Sequence, residues 1–267
     1  MNEQSDHLEA PRPGARARSF ASLNRWNLGV GALHLVQAIA ILALATAASL
    51  PVNVTYLTGP PGAGSYGGPA ELFELRIDLA IAAFLLLAAI DHLSVGTWAR
   101  RWYEKQVERG VNPARWWEYS VSASLMIVLI AMLSGVTEGT ALIALFGANA
   151  AMILFGLVME RVNIGREAVD WRPFAYGCII GAVPWIAIAL QLAVSAGNGD
   201  GVPGFVIAIF VTLLLLFNTF AVNMWLQYRG RGRWADPLFA EKIYLVLSLV
   251  AKSALAWQVY FGALAGG

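Results

Sequence analysis

Seven stretches of mostly apolar residues run through this chain, each long enough to cross a bilayer. They lie at roughly 23–49, 72–98, 114–135, 139–160, 173–196, 204–227 and 237–264. A helix needs about 20 residues to cross the hydrocarbon core. Lipid offers no partner to a backbone N–H or C=O, so spans of this length must be helices. At about 24 residues each, the seven take up about 170 of the 267 residues. The fold class expected is all-α, a seven-transmembrane-helix bundle with little room for a soluble domain. Residues 1–21, which hold Pro11, Arg12, Pro13, Arg16 and Arg18, read as a disordered cytoplasmic tail, and 22–267 as a single membrane domain.

Composition narrows the function. Hydrophobic residues make up 58% of the chain and charged ones 13%, against about 25% charged in a soluble domain. A net charge of +1 excludes a nucleic-acid binder that works through bulk positive charge. Cys178 is the single cysteine, and His7, His34 and His92 lie far apart, so neither a disulfide nor a metal site is expected.

Basic residues set the orientation. Of 18 Lys and Arg, 15 lie on one side: before span one or in the loops after spans two, four and six, with Arg25 and Arg115 at the adjoining span ends. The loops at 50–70, 136–138 and 197–203 carry none. By the positive-inside rule the N-terminus is cytoplasmic and the C-terminus extracellular. The first outside loop, 50–70, has β-branched and aromatic residues at 52–58 followed by Gly and Pro. A short β-hairpin and a flexible loop both stay open there.

Ionisable residues deep in a span are costly and mark functional candidates. Here these are His34, Asp78, Asp91, His92, Glu118 and Lys252. Arg76, Glu160, Glu241 and Lys242 lie nearer the interfaces, where snorkelling or capping explains them. Lys252 is about 15 residues, or ~22 Å, from the inner end of span seven. It must be paired, neutral or covalently used. A buried lysine suits imine chemistry with an aldehyde, but taken alone it is better explained by a structural ion pair with a carboxylate on another helix. Glu118 in span three supplies a counter-charge for either. Ser122 shares a helix face with Glu118, as Ser248 and Glu241 do with Lys252. For each serine alone, helix packing is sufficient explanation.

The pattern resembles microbial rhodopsins, and its inverted topology resembles the heliorhodopsins. The match is carried by Trp117-Glu118-Tyr119-Ser120-Val121-Ser122-Ala123-Ser124-Leu125-Met126, Leu33-His34, Asp91-His92, Phe217-Asn218 and Ser248-Leu249-Val250-Ala251-Lys252. The resemblance implies all-trans retinal bound as a protonated Schiff base on Lys252, with Glu118 as sole carboxylate counterion and Ser248 hydrogen-bonded near the imine. It implies a chromophore pocket lined by Ser122 and Phe217. It implies a water-containing polar cavity on the cytoplasmic side, with His34, His92, Arg115 and Glu241, where the released proton is held. A homodimer and a slow photocycle are implied too.

The site of the second carboxylate in ordinary proton pumps, eleven residues after the counterion, is Leu129 here. Asp78 is the one outer-half acid inside a span, with Arg76 near enough to neutralise it. An outward proton path is therefore expected to be broken. The reading is a light sensor in the plasma membrane that signals to an unknown cytoplasmic or membrane partner. The rivals are a light-gated or light-driven proton transporter or channel and a membrane enzyme. No nucleophile–base set supports the enzyme.

Overall fold

In the computed structural model, residues 13–62, 64, 66–198 and 201–265 are described. Eight helices and one two-stranded sheet are found among them. The order is α1 (Pro13–Leu44), β1 (Ser49–Val54), β2 (Ala70–Arg76), α2 (Ile77–Gly96), α3 (Arg100–Glu108), α4 (Pro113–Leu133), α5 (Gly139–Val162), α6 (Arg172–Ala196), α7 (Gly204–Arg229) and α8 (Pro237–Val259). A π-type turn, Tyr260–Leu264, follows α8.

Local sequence explains several boundaries. Asn112 caps α4 by accepting a hydrogen bond from the Arg115 N–H at 3.1 Å, and Pro113 opens the first turn. Asp236 and Pro237 do the same for α8. Gly230, at φ 58°, ends α7 in the left-handed region.

The helices pack mostly on their neighbours in the bundle. α1 lies on α2 and α8, α4 on α2 and α5, α5 on α6, and α7 on α8. Six of the long helices are apolar and long enough to cross a membrane on length and composition alone. α8 carries Glu241, Lys242 and Lys252 and completes the bundle through its packing on α1 and α7. Large apolar side chains on the outer faces, such as Ile143, Ile179 and Leu215, are exposed. An apolar outer face is what a bundle bathed in lipid tails presents.

Three expectations need correcting. Residues 13–21, assigned above to a disordered tail, are helical and belong to α1; residues 1–12 lie outside the described residues. The hairpin forms, but its second strand is 70–76, so span two starts at Ile77 and not at 72. Ser49 pairs with Arg76 and Val54 with Ala70, antiparallel, with one irregularity at Val52/Asn53. The alternation in 70–76 was hidden because apolar Leu72, Phe73 and Leu75 read as the start of a span. The third correction is α3, a short amphipathic helix inside what read as a loop. Its Tyr103 and Val107 pack against Phe20, Leu23, Val95, Leu238 and Leu245. Near the hairpin, Arg76 holds Asp78 through two hydrogen bonds, at 2.9 and 2.6 Å.

Candidate functional site

The helix packing brings the mid-span lysine of α8 against the start of α4. Lys252 is 3% exposed. Its Nζ donates to Ser248 Oγ at 2.9 Å, one turn earlier on α8, and to Glu118 Oε2 at 3.4 Å; Glu118 Oε1 lies at 3.3 Å. The Tyr119 ring lies beneath the same nitrogen, with 4.7 Å to its centroid. A buried ammonium is tolerable when paired and hydrogen-bonded in this way.

Lys252 and Ser248 form one wall of a cavity of about 460 Å³ lined by residues of α4, α5, α6, α7 and α8. The rest of the lining is mostly apolar and includes Met126, Trp185, Phe210 and Phe217. Trp185 meets Phe217 and Phe210 edge-on at 5.4 and 5.8 Å. Glycine is required alongside: a Cβ at Gly181 would strike the Met152 side chain, and one at Gly156 would strike Trp116. Phe217 lines this cavity. Ser122 does not; it is fully buried one turn after Glu118, and its Oγ has no hydrogen-bond partner.

A second, polar cavity lies toward the end of the bundle where α3 packs. It measures about 10 Å³, room for one water molecule. Asn27, Asp91, His92, Tyr103, Arg115 and Glu241 line it. The Arg115 guanidinium reaches Glu241 at 2.6 Å and also pairs with Glu160. Asn112 ties both acids down, donating its backbone N–H to Glu160 and its side-chain amide to Glu241, each at 2.8 Å. The guanidinium also stacks over Tyr244 at 3.8 Å and Trp116 at 4.7 Å. Burial pushes the Tyr103 hydroxyl above its usual range, and the Glu241 charge acts in the same direction.

His92 faces Asn27 Oδ1 at 3.1 Å through Nδ1. His34 does not line the polar cavity; it stacks on His92 with ring centroids 5.9 Å apart. Both ring nitrogens of His34, and Nε2 of His92, are buried without a protein partner. Glu160 is a correction. Its place near a span end suggested an interface residue, but it is 2% exposed and belongs to the Arg115 cluster. Asn27, Asn112 and Tyr103 were also missed, because a search for ionisable residues passes over asparagine and a loop tyrosine. The capping position of Asn112 ahead of Pro113 was the available signal.

A seven-helix bundle with a buried lysine–carboxylate pair, the lysine in the wall of an apolar cavity, is the architecture of the microbial rhodopsins. Solved structures agree on the fold. The light-driven proton pump LR (Mac) from Leptosphaeria maculans is 17% identical, with a TM-score of 0.64 over 90% of this chain and 95% of that one. The transmembrane domain of Salpingoeca rosetta rhodopsin phosphodiesterase is 13% identical, with a TM-score of 0.65 over 94% and 88%. Cyanorhodopsin from Tolypothrix sp. NIES-4075 is 15% identical, with a TM-score of 0.62 over 90% and 94%. No curated protein matches the chain.

The chain belongs to the heliorhodopsin family, whose sequence pattern it matches over residues 23–264. It is thus a retinal-binding, multi-pass membrane protein. The site fits that chromophore. An apolar cavity of a few hundred Å³ with a few convergent polar groups suits a long apolar ligand, and the only amine in its lining is Lys252.

Proposed function

We propose that the protein is a light-sensing photoreceptor that carries all-trans retinal on Lys252 through a protonated Schiff-base linkage and pumps no ions. The observation that carries this reading is the buried Lys252–Glu118 pair, whose lysine lies in the wall of the apolar cavity. Retinal held there supplies light absorption and a light-driven change of shape. The chain's own residues do the rest. Glu118 balances the positive charge at Nζ, and Ser248 fixes the direction of its N–H. Trp185 and Phe217 press on the cavity from α6 and α7. His34 and His92, with three vacant ring nitrogens between them, accept the released proton, backed by Arg115 and Glu241.

Leu129 is fully buried in the apolar core, and Asp78 is neutralised by Arg76. Both observations support an outward path without proton carriers, against the transporter reading. The distribution of basic residues supports an N-terminus in the cytoplasm of a plasma-membrane protein. In this reading the chain works as a homodimer with a slow photocycle, signals to a cytoplasmic or membrane partner, and catalyses no reaction. The test is to express the chain with retinal and illuminate cell suspensions. A visible pigment with no protonophore-sensitive pH change is expected. A sustained light-driven pH change abolished by a protonophore would favour the transporter.

A further inference from the structure

The two cavities meet at one residue. Among the described residues, Tyr119 alone lines both. It shares the apolar cavity with Lys252 and Ser248, and the polar one with Asp91, His92, Arg115 and Glu241. Glu118 precedes it on α4. Three helices hold the ring in place. It belongs to α4, its hydroxyl donates to the Tyr244 carbonyl of α8 at 3.0 Å, and Phe220 of α7 meets it edge-on at 5.7 Å.

We propose that Tyr119 is a positioning residue that partitions the chromophore cavity from the polar one and stabilises the positive charge on Lys252 with its ring face. The proposal rests on the retinal reading above for its optical consequences, but the wall itself is a property of the bare protein. A cation within about 6 Å of an aromatic face is attracted by the ring quadrupole. The ring centroid is 4.7 Å from Nζ. The phenol O–H is already engaged as donor to the Tyr244 carbonyl, so it offers no free donor for a relay between the cavities. A proton or water crossing from one side to the other must pass round the ring or displace it. The pin at Tyr244 lies one turn before Ser248 and two turns before Lys252 on α8, so movement of α8 near Lys252 pulls directly on the wall.

The test compares Tyr119→Leu, which removes the ring, with Tyr119→Phe, which keeps it. In the pigment, the visible band of the Leu variant is expected to titrate about one pH unit lower, and that of the Phe variant as in the parent protein. In the retinal-free protein, labelling of Lys252 by trinitrobenzenesulfonate, a charged reagent excluded from lipid, is expected to be several-fold faster in Tyr119→Leu and unchanged in Tyr119→Phe. A coloured Leu variant that titrates and labels like the parent overturns the proposal. A parent protein with no visible band overturns the retinal reading instead, and the labelling arm still decides the wall. Should Tyr119→Leu fail to fold, Phe220→Leu loosens the same ring and is expected to shift both readouts in the same direction by less; no shift there overturns the proposal.

Discussion

On one side of Tyr119 the bundle is roomy, apolar and holds a single ion pair; on the other it is nearly filled and crowded with charge. The larger cavity has about 460 Å³ of space and one amine, balanced by one carboxylate. The smaller has about 10 Å³, yet Arg115, Glu241, Asp91 and His92 converge on it, with Glu160 behind Arg115. The contrast fits the function proposed above, in which one region holds a hydrocarbon chain and the other a proton. A hydrocarbon ligand needs room and tolerates few polar neighbours. A proton needs fixed partners and water, which only a dense polar network supplies in a low-dielectric interior. Helices α4 and α8 contribute residues to both regions.

Substitutions can break or sharpen that contrast. The largest effect is expected from Lys252→Ala, which should abolish retinal-dependent visible absorption and leave a folded membrane protein; a remaining visible band would refute attachment at this residue. Next, Arg115→Met should unbalance the polar side alone. Stranding two buried carboxylates costs about 3–5 kcal/mol, so thermal melting should drop sharply while any pigment that folds keeps its colour. An unchanged melting temperature would mean that the cluster is not structural. Glu118→Gln should act on the chromophore side. Loss of a counter-charge within about 4 Å should lower the titration of the visible band by about 1–3 pH units and shift the colour at neutral pH; an unchanged titration would point to Asp91 as counterion.

The smallest change is expected from exchanging both His34 and His92 for Phe. The dark spectrum should stay close to that of the parent, since Glu118 remains. Flash photolysis should show the deprotonated intermediate forming or decaying at a different rate, because the proton loses its nearest imidazoles. Identical kinetics from about pH 6 to about pH 9 would make the two rings structural.

Much of this was legible in the chain itself. Lys252 and Glu118 stand out because a charge deep in a span is costly and therefore rare. The seven spans are legible because hydropathy and length act locally, whatever the neighbours. The hairpin was half legible: the first strand lies in a clear loop, while the second carries the apolar residues Leu72, Phe73 and Leu75 that also begin a span. Glu160 was misread because depth along one helix says nothing about which neighbour fills the space beside it.

The sequence alone determined that this chain is a membrane bundle, which loops are basic, and which residues bear charge inside it. Those properties follow from composition and from a helix rise that every span shares. Tertiary structure decided the pairings. Asn112, Arg115, Glu160 and Glu241 are drawn from three helices and from a position 129 residues away in the case of Asn112 and Glu241, and no periodicity links them. It also decided that Ser122 stays outside the cavity while Tyr119 stands between two. Adjacent helices can rotate about their own axes without changing any span boundary, and only the packing of α4 against α5, α2 and α8 selects the rotation that exists.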